Sequence, residues 1–193
     1  MANEHARIVR VGVTGHRSIP DESAIARVVD KVLELIRETS PSSDGDPPLI
    51  EVVSPIAEGA DRIVARAALK EEGARLSVPL PFPKEDYEKD FKTAESRAEF
   101  ENLLERACEV MVLPATPTRN EGYEQVGHYV LDNCDVLIAI WDGEPSRGQG
   151  GTAEIVEKAR AMGRKLYWIH TKEPGTFTEE PEIAPPEGLI FFA

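Results

Sequence analysis

A set of short, unbroken apolar runs restricts the fold more than any other feature. They are "RIVRVGVT" (7–14), "LIEVVS" (49–54), "ARLSVPLPF" (74–82), "VMVLPA" (110–115), "DVLIAIW" (135–141) and "KLYWIH" (165–170). They read as continuous apolar stretches, not as the alternation of a strand with one wet face, so both faces must be covered. The segments between them have helical spacing. Over 21–37, Ile25, Val28, Val29, Val32, Leu33 and Ile36 fall on one face, with Ser18 or Asp21 as cap and Pro20 setting the approach. Further helices are predicted over about 60–72, stopped by a left-handed Gly73, and over 93–107, 120–133 and 152–163, the last closed at Gly163. This alternation predicts an α/β fold: a doubly wound, mainly parallel sheet with helices on both faces. Pro79 and Pro81 should confine pairing of the third strand to its first half.

The 193 residues suit one core, so residues 1–171 are read as a single domain. The tail, 172–193, is expected to be irregular and to dock through Leu189–Phe192. The longest apolar run is far short of the roughly 20 residues of a membrane helix, and no membrane partner is expected. The first ten residues carry charge where a signal peptide needs an apolar core, so a cytoplasmic location is expected. A net charge of −13 repels a nucleic-acid backbone and argues against a DNA or RNA polymer as partner. Cys108 and Cys134, unpaired in sequence, read as small packing residues.

In a doubly wound fold, ligands bind outside the carboxyl ends of the strands. The loops predicted there each carry a cation: Arg17, Arg62, Lys84, Arg119 and Arg147. The loop "DGEPSRGQGGTAE" is the most informative, because Gly148, Gly150 and Gly151 let the backbone fold tightly before a helix that begins near Thr152. Free amides and the partial positive charge of the helix start suit a phosphate. The competing reading is a plain connection with Thr152 as an N-cap.

In "TGHR", Thr14 and Gly15 allow a sharp turn, and His16 and Arg17 can reach phosphate or a base edge. In "AEGADR", Gly59 permits close backbone approach to a ligand, beside Glu58, Asp61 and Arg62. Trp141 or Tyr123 could offer a ring face to a base, although strand-end core packing is the simpler role for Trp141. Asp142, Gly143 and Glu144 complete the turn after "DVLIAIW". The chain has no G-x-G-x-x-G after the first strand, no P-loop, no G-x-S-x-G and no H-E-x-x-H. Neither a cofactor nor a metal is expected.

"VGVTGHR", "SPIAEGADRIVA", "LPFP" with "DYEKDF", and "CDVLIAIWDGEPSRGQGGTAEIVEKAR" together resemble the SLOG superfamily of Rossmann-like proteins, over roughly residues 8–171. That superfamily includes the LOG phosphoribohydrolases and ligand-sensing domains of bacterial defence systems. The resemblance implies a nucleotide or nucleotide-derived phosphorylated ligand at the carboxyl edge of the sheet, in a sensor or carrier, and a homo-oligomer. Its enzymatic alternative is an N-glycosidic hydrolase or transferase. LOG enzymes carry Gly-Gly-x-Gly-Thr-x-x-Glu, which would make Glu154 the catalytic carboxylate. Here Glu154 stands two residues after Thr152, and the family's position, three after, holds Ile155. One residue on a helix is a rotation of about 100°.

Overall fold

A computed structural model describes residues 7–40, 46–145 and 151–180. In chain order the elements are β1 (Ile8–Gly15), α1 (Glu22–Thr39), β2 (Leu49–Val53), α2 (Ala60–Ala68), β3 (Arg75–Leu80), α3 (Lys84–Tyr87) and a 3-10 turn (Glu88–Asp90). Then come α4 (Ala94–Glu105), β4 (Glu109–Val112), α5 (Arg119–Asp132), β5 (Val136–Trp141), α6 (Thr152–Ala161), β6 (Lys165–His170) and β7 (Phe177–Glu180). The strands form one seven-stranded sheet in the order β4-β3-β2-β1-β5-β6-β7, parallel except for β7. The order reverses between β1 and β5, so the crevice of this Rossmann-like fold opens above those two strands.

Alternate residues of each central strand enter opposite layers. From β5, Val136, Ile138 and Ile140 join a large cluster with the apolar stripes of α1 and α2, while Leu137, Ala139 and Trp141 pack with α6. The predicted face of α1 is buried throughout, and Asp21 is its cap, accepting the Ala24 amide at 2.9 Å. Gly12 in β1 lets Cys134 approach, since a Cβ there would lie 2.8 Å from its Sγ. Burial pushes the Cys134 thiol up to about 11, the behaviour of a packing residue. Cys108 is exposed instead.

Three local expectations are corrected. β3 pairs with β4 through Pro79 and Leu80, beyond its first half. The Leu76 and Leu80 carbonyls face β4 and that of Ser77 faces β2, so the amide missing from Pro79 falls on the β2 side, where β2 has ended. α2 stops at Ala68, and tight turns carry the chain to Gly73, whose φ of +80° belongs to the turn before β3. Residues 177–180 are not irregular: β7 pairs antiparallel with β6, and Glu180 receives a double hydrogen bond from Arg160. The docking expected of Leu189–Phe192 lies outside the described residues. Among the described residues, no helix is long and apolar enough to cross a membrane.

Candidate functional site

The turn after β1 is woven into the sheet and into α2. The His16 amide donates to the Ile140 carbonyl at 3.0 Å, and the Ala60 amide donates to the His16 carbonyl at 3.1 Å. Gly59 makes this possible with φ +79°, and a Cβ on it would sit 2.4 Å from the carbonyl oxygens of His16 and Arg17. The close approach at Gly59 is made to the backbone of the β1 turn, and Gly59 also lines a groove beside it. Gly15 is as confined, its Cβ position 2.5 Å from Ala60 Cβ.

Two chambers meet above β1 and β5, sharing Gly15, Gly151 and Thr152. The larger, about 500 Å³, is walled by His16, Arg17, Trp141, Asp142, Gly151 and Thr152. The smaller, about 200 Å³, lies against α5 and includes Thr14, Asp61, Tyr123, Gly127, Thr152 and Ile155. Gly151 caps α6 and its carbonyl accepts the Glu154 and Ile155 amides, so Thr152 is the first helical residue and not the N-cap. Among the described residues no acceptor occupies the amides of Gly151, Thr152 and Ala153, the donors an α-helix leaves open at its start. Gly148, Gly150 and Arg147 lie outside the described residues.

His16 Nε2 lies 3.0 Å from the Asp142 carboxylate and 3.3 Å from the Asp142 amide. A single ring nitrogen satisfies one of these at a time: protonated, it donates to the carboxylate; bare, it accepts the amide. Against the cost of burial, the Glu144 amide and His16 hold the Asp142 carboxyl below the usual range. Asp142 is thus a turn residue that also orients His16. Gly143, at φ +80°, completes the turn over Trp168. Trp141 packs in the core beside Trp168, ring centroids 5.3 Å apart, and its indole N–H donates to the Glu144 carbonyl at 3.0 Å.

Of the loop cations among the described residues, Arg17 alone lines the larger chamber. Its guanidinium stands 5.1 Å from the Tyr123 ring centroid and 4.0 Å from Asp90, which also accepts the Tyr123 hydroxyl and Arg119. Arg62 is 2% exposed and serves α2: Nε donates to the Ile56 carbonyl and Nη1 to Ser96 and Glu99, over the Phe91 ring. Arg119 pairs with Asp86 and Asp90, and Lys84 with Glu88 and Glu101. Glu58 accepts from Ser96, and with Gly59 and Arg62 it lines a neighbouring groove that meets the crevice at Arg17 and Ser18.

Glu154 lines neither chamber. Its carboxylate faces α5, in a half-buried group whose ligand atoms, from Glu124, His128 and Glu154, lie within 4.8 Å of one another. Gly127 brings the helices together there, with Ile155 Cδ1 2.9 Å from where its Cβ would be. The one-residue offset thus puts Ile155 into the smaller chamber and turns Glu154 away. The spacing of Glu124 and His128, one helical turn apart, could have been read from sequence; their meeting with Glu154 could not. Asp90, which holds Tyr123 from thirty-three positions away, carries no mark in the sequence, and Ser54, which holds Asp61 across the turn between β2 and α2, is marked only by its nearness. Compared with known proteins, the chain matches no protein-family model and no curated protein.

Proposed function

We propose that the protein binds a nucleotide or nucleotide-derived phosphorylated ligand at the carboxyl edge of its sheet, as a sensor or carrier. The amides of the α6 start, which no described residue accepts, lie beside a chamber that also holds Arg17 and carry this reading. Gly151 and Thr152 receive the phosphate through their amides, Thr152 adds its hydroxyl, and Arg17 neutralises the charge. Amides at a helix start and a guanidinium on one wall favour an anion over a neutral guest. The likeness of the sequence to the SLOG superfamily points the same way. Turning Glu154 toward α5 removes the carboxylate on which an N-glycosidic reaction was expected to rely, so binding is favoured over turnover.

Isothermal titration against a panel of nucleoside mono-, di- and triphosphates tests this directly. At least one should bind, and Arg17→Ala should weaken it by about tenfold or more, the worth of one charge-assisted hydrogen bond. No heat with any member, or full affinity without Arg17, rejects the reading.

A further inference from the structure

The smaller chamber holds one carboxylate among the described residues, Asp61, in the first turn of α2 and only 6% exposed. Among the described residues its partners are the Ala57 amide, 3.1 Å from Oδ2, and the Ser54 hydroxyl. Ser54 Oγ accepts the Ile56 amide at 3.0 Å, which leaves its own proton for Asp61. An ionised carboxylate accepts about four hydrogen bonds, so these two leave it half satisfied. The charged groups facing it are Arg17 from the β1 turn and Arg62 from its own helix, with the Tyr87 phenol from α3. They do not offset its burial, which pushes its carboxyl up to about 6. A buried carboxylate with room for further donors costs stability, and such groups concentrate at functional sites.

The rest of the chamber suits one small polar ring. Val13, Val126 and Ile155 make it apolar, while Thr14 and Thr152 supply hydroxyls. At roughly 30 Å³ per water, its volume of about 200 Å³ corresponds to a single substituted five- or six-membered ring. It shares Gly151 and Thr152 with the proposed phosphate position, so a ring placed there lies next to that phosphate.

We propose that Asp61 reads a pentose: the sugar of a pentose phosphate, free or within a nucleotide, enters the smaller chamber and its hydroxyls donate to the Asp61 carboxylate while the phosphate lies on Gly151 and Thr152. This inference rests on the phosphate-binding reading above and adds the sugar to it. Glu154, outside the chamber, has no part in it.

Titration of the full chain with inorganic phosphate, ribose 5-phosphate, 2-deoxyribose 5-phosphate, AMP and 2′-deoxy-AMP tests it. Each ribo compound should bind about tenfold or more tightly than its deoxy counterpart, as loss of one hydrogen bond to a charged group requires. Asp61→Asn should erase that ratio yet melt at a higher temperature than the parent at neutral pH; a purely structural aspartate would melt lower when replaced. Glu154→Gln should keep the ratio. In the unmutated protein the ratio should shrink as pH falls through about 6, with the phosphate common to both members of each pair. That measurement decides the matter even if Asp61→Asn fails to fold. Stronger binding of AMP than of ribose 5-phosphate identifies a nucleotide as the source of the sugar, and the reverse identifies a free sugar phosphate. Equal ribo and deoxy affinities, or a ratio that survives Asp61→Asn, overturn the role of Asp61 and leave phosphate binding standing. Silence toward every probe, nucleotide and phosphate alike, overturns both.

Discussion

Gly59, with φ +79° and two carbonyl oxygens 2.4 Å from where a Cβ would stand, fixes how closely α2 can meet the β1 turn. Gly59→Ala must adopt a backbone region that L residues avoid and push His16 and Arg17 outward, at a cost of about 2–4 kcal/mol. Denaturant titration measures this, and a loss below about 1 kcal/mol would mean that the turn yields easily. Residue by residue, the site was partly legible. Thr14, Gly15, His16, Arg17, Asp61, Trp141, Asp142, Gly151 and Thr152 do line the two chambers. The types that a phosphate site needs, glycine, threonine and arginine at strand ends, are visible in a string. What a string cannot show is which cations are already engaged: Arg62 is bound on three sides within the protein, and that depends on Ser96 and Glu99, more than thirty positions away.

Elements were more legible than their ends. α1, β5 and β6 follow from apolar spacing alone, because burial on one stripe or on both faces leaves a strong periodic mark. β7 leaves none: "FTEE" has one apolar residue and two acids, and its order comes from the edge that β6 offers and from Arg160 gripping Glu180. At this scale α5 is the element to perturb, since it carries Tyr123 to the smaller chamber. Thr118 and Glu121 form a reciprocal cap at its start, the Glu121 carboxylate accepting the Thr118 amide at 2.9 Å. Thr118→Ala should cost about 1 kcal/mol, seen as a lower denaturation midpoint with an unchanged slope.

The pH dependence of stability belongs to the molecule as a whole. Asp61 has its carboxyl raised from 3.8 to about 6 on folding, so between those values the folded state holds a proton that the unfolded state has lost. Its contribution is therefore most favourable below about 4 and is lost as pH rises to about 6, a swing on the order of 3 kcal/mol. Asp86, Glu99 and Asp142 are held below their ordinary range, so their contributions run the opposite way and vanish in acid. The difference in stability between Asp61→Asn and its parent isolates the first effect: it should be small at pH 4 and should favour the variant at pH 7. A difference that stays flat across that range would show that Asp61 is no harder to ionise in the folded state than in the open chain.

The walls of the two chambers come from the ends of β1 and β5, the starts of α2 and α6 and one side of α5, so they span the sequence from Val13 to Ile155. A cut within that span separates residues that line the same cavity. Occupancy consequently reports on elements far apart in the chain, and any true guest should delay unfolding in proportion to the logarithm of its concentration.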